Sequence, residues 1–191
     1  MVTLNVGPAI GYSWEALGVV WLAGLAFTKR VIRSQPNGAR WFHIVLAFTG
    51  FTLLGSSWFE TGWMAVGFVP EIDWLKLSGL ALTIIGCAFA IWARITLGGN
   101  WSGRATVKER HELIVTGPYS LARHPIYTGM MIAVVGTAFA IGQVRCIIGT
   151  LIIMLALIIK MSQEERLMMQ TFPDAYLRYR RRVKALIPGV L

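Results

Sequence analysis

The sequence predicts an all-α fold, a polytopic membrane helix bundle of about five transmembrane helices. Three observations predict it. The 191 residues are 55% hydrophobic and only 14% charged, against about a quarter charged in soluble domains. Apolar runs long enough to cross a bilayer recur along the whole chain. The charges sit in blocks between those runs, and they are sorted by side. With the runs read as spans, only Lys76 and Arg145 of the 18 Lys and Arg residues fall opposite the rest, where Glu15, Glu60, Glu71 and Asp73 lie. This is the positive-inside pattern, and it puts the N-terminus outside and the C-terminus in the cytoplasm.

The first span reads from Trp14 to Thr28 or Val31, closed by Lys29, Arg30 and Arg33. No basic region precedes it, so it reads as an anchor and not as a cleaved leader. Ser34-Gln-Pro-Asn-Gly38 is turn chemistry. The second span runs from Trp41 to Phe59 with His43 at its basic end. Glu60 to Asp73 is an outer loop whose flanking tryptophans, Trp58, Trp63 and Trp74, suit an interface. The third span is Trp74 to Leu97.

A polar segment, Gly98 to Arg123, follows on the basic side. Its Trp101, Val107, Leu113, Ile114, Val115 and Tyr119 argue for order, and ordered loops of this length are usually functional. Pro125 opens the fourth span, which runs to Gly142, at a position where its missing N–H is harmless. Gly129, Ala133, Gly136 and Thr137 give that span a close-packing face. Gly142-Gln-Val-Arg145 makes a tight turn into a fifth span, Ile147 to Met161, which is short for a full crossing. Ser162 to Lys184 reads as an amphipathic helix on the basic face, with Pro173 breaking it or starting a turn. The whole is one membrane domain: three helices in residues 1–97, then a half rich in polar groups in residues 98–191.

Composition excludes several function classes. The net charge of +9 is topological, matched to anionic lipid and not to nucleic acid. Cys87 in mid-span and Cys146 at the outer turn are placed apart, and no Cys/His cluster marks a metal. Spans two to five carry no Asp, Glu, Lys or Arg near their centres, and ion-coupled transport needs such groups. Function is pushed to the cytoplasmic face. There Arg104, Lys108, His111 and Tyr119 of the loop converge with Arg123, His124 and Tyr127 at the mouth of span four. Lys160, Glu164 and Glu165 close the set from the end of span five. Taken singly each has a plain explanation, since Arg and Tyr anchor interfaces and charge runs form solvated helix faces.

Together they match a family. His111-Glu-Leu-Ile-Val-Thr-Gly-Pro-Tyr119, then Arg123-His-Pro-Ile-Tyr127, then Glu164-Glu165 with Leu167, Phe172, Tyr176, Tyr179 and Ile187-Pro188 resemble the isoprenylcysteine carboxyl methyltransferase family. Gly99-Asn100-Trp101 fits as well, so the resemblance runs from about Arg94 to Pro188. It implies a membrane-embedded enzyme that uses S-adenosylmethionine without a Rossmann glycine loop. It also implies a lipophilic or prenylated acceptor bearing a carboxylate. Carried over position by position, the cofactor-binding residues are Arg104, His111, Glu112, Leu113, Ile114, Tyr119, Arg123, His124, Pro125, Ile126, Tyr127 and Glu164. Arg94, Lys160 and Glu164 are implied to act at the reacting groups. The chain has Ser162-Gln163 where the family extends its acidic run, Lys160 where the family has Arg, and Pro173 where it has Gly.

Three other readings compete: a phospholipid N-methyltransferase, in which Glu165 or His111 would serve as base; an NADPH-dependent lipid or sterol reductase; and a non-catalytic membrane protein with a lipid-binding tail. Carboxyl methylation accounts for the most residues.

Overall fold

The computed structural model describes residues 4–28, 31–34, 37–101, 106–108 and 112–187. Its elements run in chain order as α1 (Gly7–Leu25), β1 (Val31–Ser34), α2 (Asn37–Gly55), α3 (Asp73–Leu97), β2 (Thr106–Lys108), α4 (Pro125–Ile141), α5 (Val144–Thr171) and α6 (Pro173–Arg182). Every element that builds the bundle is helical. The exception is the ribbon β1–β2, paired antiparallel with Val31 opposite Lys108 and Ser34 opposite Thr106. It ties the end of the first helix to the polar loop.

Punctuation in the sequence fixes most helix ends. Pro8 sits in the first turn of α1, which starts the helix well before Trp14. Asp73 begins α3, and Gly98 at φ 53° ends it. Pro125 opens α4 and Gly142, at φ 72°, closes it in the left-handed region open to glycine. The expected turn at 34–38 is instead divided. Ser34 belongs to β1, while Asn37 and Gly38 already belong to α2.

The largest departure is at the C-terminal end. No boundary falls at Met161. A single 28-residue helix, α5, runs to Thr171, because Ser162-Gln-Glu-Glu165 and the residues after it are good helix formers. Only Phe172-Pro173 stops it. The amphipathic tail helix is therefore α6 alone, beginning at Pro173.

By length and composition α3 and α5 are able to cross a membrane, and 41–55 and Pro125–Ile141 are shorter apolar helices. Large apolar side chains face outward along several helices, among them Leu22, Phe48, Ile85, Leu151 and Leu155. Soluble proteins rarely expose apolar surface on that scale.

Small residues set the packing. Gly79 and Gly86 of α3 face Gly129 and Gly136 of α4 so closely that a Cβ added at any of the four would come within 2.4–2.6 Å of the other helix's backbone. Between the glycines, Thr83 Oγ1 lies 3.2 Å from Thr137 Oγ1, which also accepts from Trp14 Nε1 at 3.0 Å. A second close pair, Gly50 and Gly149, joins α2 to α5. Leu54, Val134 and Ile153 fill the centre. At the end remote from α6, buried Arg145 donates to the carbonyls of Leu53 and Leu54 at 2.8 and 3.0 Å and to Glu60 at 2.6 Å. One guanidinium thus caps the last turn of α2. Cys87 and Cys146 are free and buried.

Candidate active site

The two packed helix pairs bring the mouth of α4 beside the last turns of α5. In the first turn of α4, Tyr127 donates its phenolic hydrogen to Glu164 Oε1 at 2.7 Å. His124, one turn back, stacks on the Tyr127 ring with centroids 5.5 Å apart. Its Nδ1 is 3.8 Å from Glu164 Oε2 and its Nε2 3.4 Å from Glu165 Oε1. The latter is an ion-pair distance without hydrogen-bond alignment. Lys160, a turn before Glu164, places Nζ 5.5 Å from the Tyr127 ring centre and 3.9 Å from Glu164 Oε1.

The neighbouring carboxylate has a different task. Glu165 accepts from Arg123 Nε and Nη2 at 2.8 and 2.5 Å. Arg123 Nη1 donates to the Val183 carbonyl at 2.6 Å. One ion pair therefore clips α4, α5 and the segment after α6 together.

Arg123, His124, Tyr127 and Glu164 wall a cavity of about 130 Å³, while Lys160 and Glu165 stand outside its lining. Glu112, Leu113 and Ile114 of the polar loop line it, as do Tyr119, Arg123, His124, Ile126, Tyr127 and Glu164. Pro125 is buried in the same turn. Arg104 and His111 lie outside the described residues. The sequence reading did not assign the remaining lining to the site: Leu97, Asn100, Trp101, Leu167, Met168, Tyr176 and Tyr179. The two tyrosines come from α6, whose inner face turns toward the cavity, and Tyr179 donates to the Tyr119 carbonyl at 2.5 Å. Their three-residue spacing was the available signal. Burial pushes the phenols of Tyr119, Tyr176 and Tyr179 well above their usual range, so all three stay neutral donors.

Arg94 stands behind Trp101, not in the lining. Its guanidinium carbon is 4.4 Å from the Trp101 ring centre, and its Nη1 donates to the Gly98 carbonyl at 3.0 Å. Its Nε and Nη2 are buried without a hydrogen-bond partner among the described residues, against Gly24 of α1. That edge is the one that takes a carboxylate with two parallel bonds.

A model of the isoprenylcysteine carboxyl methyltransferase (ICMT) family matches residues 79–170, from α3 through nearly all of α5. Over that stretch, 92 of the 191 residues, the chain is similar to this family. Among relatives, a protein-S-isoprenylcysteine O-methyltransferase of Xenopus laevis is 28% identical over 64% of this chain and 43% of its own length. One of Arabidopsis thaliana is 28% identical over 61% of each. A cobalt-zinc-cadmium resistance protein, CzcN, of Cupriavidus metallidurans is 25% identical over 78% of this chain and 62% of its own length. The chain spans about half the length of the first curated relatives it matches. In fold it is similar to the solved eukaryotic intramembrane Ras methyltransferase ICMT. The TM-score is 0.58 at 22% identity, covering 81% of this chain and 55% of that one. The likeness reaches beyond the motifs at 94–188 into the first helices.

Proposed function

We propose that this chain is a member of the ICMT family and transfers a methyl group from S-adenosylmethionine to the carboxylate of a lipid-linked, isoprenylcysteine-like acceptor in the membrane. One observation carries the reading. A cavity with a carboxylate and an aromatic wall, suited to a cation, has behind its Trp101 wall the buried Arg94 guanidinium, whose Nε and Nη2 lack a hydrogen-bond partner among the described residues and suit an anion. Methyl transfer from a sulfonium to a carboxylate needs those two environments side by side.

The residues present fit the cofactor. Trp101, Tyr119, Tyr127, Tyr176 and Tyr179 offer ring faces and edges to an adenine and a sulfonium. Glu164, held at Oε1 by Tyr127, accepts from an ammonium or a ribose hydroxyl. His124 and the first N–H groups of α4 are placed for a carboxylate. Bound there, S-adenosylmethionine supplies an electrophilic methyl group.

Arg94 aligns the acceptor, with Lys160 as the second cation at the site. A carboxylate is ionised above a pKa of about 4, so no side chain has to remove a proton. Catalysis rests on alignment and on excluding water from two charges that cancel as they react. Glu165, engaged by Arg123, positions the tail and does not act as a base.

In the membrane, α1 to α5 are the five spans of one domain, with the N-terminus outside and the C-terminus in the cytoplasm. Residues 98–191 carry the catalysis. The acceptor enters from the bilayer between helices.

The test is incubation of the purified protein with methyl-labelled S-adenosylmethionine and either an S-prenylated cysteine or phosphatidylethanolamine. Label released by mild base from the first acceptor supports the proposal. Base-stable label in the second alone overturns it in favour of amine methylation.

A further inference from the structure

α6 has two faces, and the cavity uses one. Tyr176 and Tyr179 are buried. The opposite stripe, at i, i+1, i+4 and i+5, is Leu177, Arg178, Arg181 and Arg182, all exposed, and exposed Lys184 and Ile187 follow. Arg180 is apart from this set, since its Nε lies 3.8 Å from Glu165.

The position of this stripe follows from the path of the chain. α5 carries it outward past Lys160, Pro173 turns it, and α6 brings it back. The return is pinned to the first turn of α4. The N–H of Arg123 donates to the Lys184 carbonyl at 2.8 Å and that of His124 to the Ala185 carbonyl at 2.9 Å. Thr128 Oγ1 donates to the Leu186 carbonyl at 2.8 Å. The basic end of α6 therefore lies at the level where α4 begins. With α4 read as a span, that level is the headgroup region.

We propose that Arg178, Arg181, Arg182 and Lys184 bind the phosphates of anionic phospholipids, and that this docking tightens the cofactor cavity. Cations flanked by exposed Leu177 and Ile187 match the boundary of headgroup and acyl chain, and not a free phosphate in water. The coupling has a physical route. The same ten-residue helix presents the arginines outward and Tyr176 and Tyr179 inward, and its exit strand is bonded to Arg123 and His124. Holding the outer face fixes one wall of the cavity. The headgroup site rests on the membrane reading above, and the coupling rests on the cofactor reading.

The full chain in neutral detergent is titrated by thermophoresis with short-chain phosphatidylglycerol, short-chain phosphatidylcholine and inorganic phosphate. Phosphatidylglycerol should bind at least roughly tenfold more tightly than phosphatidylcholine. The double variant Arg181→Glu/Arg182→Glu should lose that preference at unchanged melting temperature, and Arg181→Lys/Arg182→Lys should keep it. Equal binding of the two lipids, or a preference that survives charge reversal, overturns the headgroup site. Inorganic phosphate binding as tightly as phosphatidylglycerol overturns the lipid as its ligand. In nanodiscs, S-adenosylhomocysteine should bind more tightly when phosphatidylglycerol is included, and the gain should vanish in the charge-reversed variant. Unchanged affinity overturns the coupling. Failure of S-adenosylhomocysteine to bind in any bilayer removes the cofactor reading with it, and leaves the headgroup site to stand on the lipid titration.

Discussion

Tyr127 and Glu164, 37 residues apart, are joined by a 2.7 Å hydrogen bond that locks the first turn of α4 to the outgoing end of α5. Both groups belong to the cavity wall, so the bond fixes which way the carboxylate points. A hydrogen bond to a charged group is worth about 2 kcal/mol. Tyr127→Phe should therefore weaken S-adenosylhomocysteine binding by roughly 30-fold with the fold intact, measured by calorimetry beside circular dichroism. Unchanged affinity would mean that Glu164 needs no such support.

Arg94 separates acceptor chemistry from cofactor binding. Arg94→Gln should lower kcat/KM for the acceptor roughly 100-fold, since two charge-assisted bonds are lost. Cofactor affinity should stay within about twofold. Thermal stability should not fall, because the substitution also removes a buried charge with two unpartnered donors. A large drop in melting temperature with unchanged kcat/KM would make Arg94 a structural residue.

The glycine contact between α3 and α4 should be intolerant. Gly86→Ala and Gly129→Ala each drive a Cβ to 2.4–2.6 Å from facing backbone and should cost about 2 kcal/mol by overpacking. Gly11→Ala, where a Cβ meets open space, should cost nothing. Thermal unfolding in detergent distinguishes them.

Much of this was readable in advance. Pro125 and Gly142 marked α4 to the residue because each punctuates a helix end by its own backbone chemistry. The small-residue face of α4 announced a close partner, although only the fold identifies it as Gly79 and Gly86. The end of α5 was hidden. Hydropathy falls at Lys160, but helix propensity does not, and the backbone follows propensity until Pro173. Tyr176 and Tyr179 were legible only as members of an amphipathic tail and of the family resemblance. Their spacing reports one face, and only the return of α6 shows that the face looks into the cavity. The division of labour between Glu164 and Glu165 was equally hidden, since adjacent residues on a helix point about 100° apart.

Arg145 supplies a test at the far end of the bundle. It caps α2 through Leu53 and Leu54 and pairs with Glu60. Arg145→Ala should cost about 2 kcal/mol by stranding buried carbonyls. Arg145→Lys should not restore the loss, because a single ammonium cannot reproduce the planar fork. Cofactor binding should be unaffected, which calorimetry checks.

Alkaline titration tests the docking of α6. Burial raises the phenols of Tyr119, Tyr176 and Tyr179 above the ordinary value of 10.0. A raised folded-state pKa contributes stability that is fully present below the unfolded value and is lost as pH rises above it. The ultraviolet signal of these phenolates should thus appear only well above pH 10, together with loss of the fold. Ionisation near pH 10 in a folded protein would mean that α6 is not docked.

The most direct test of the central claim is calorimetric titration of the purified chain with S-adenosylhomocysteine, with NADPH in parallel. The account predicts micromolar binding of S-adenosylhomocysteine, reduced at least roughly tenfold in Glu164→Ala, and no binding of NADPH. Binding of NADPH alone, or S-adenosylhomocysteine affinity indifferent to Glu164, would contradict it.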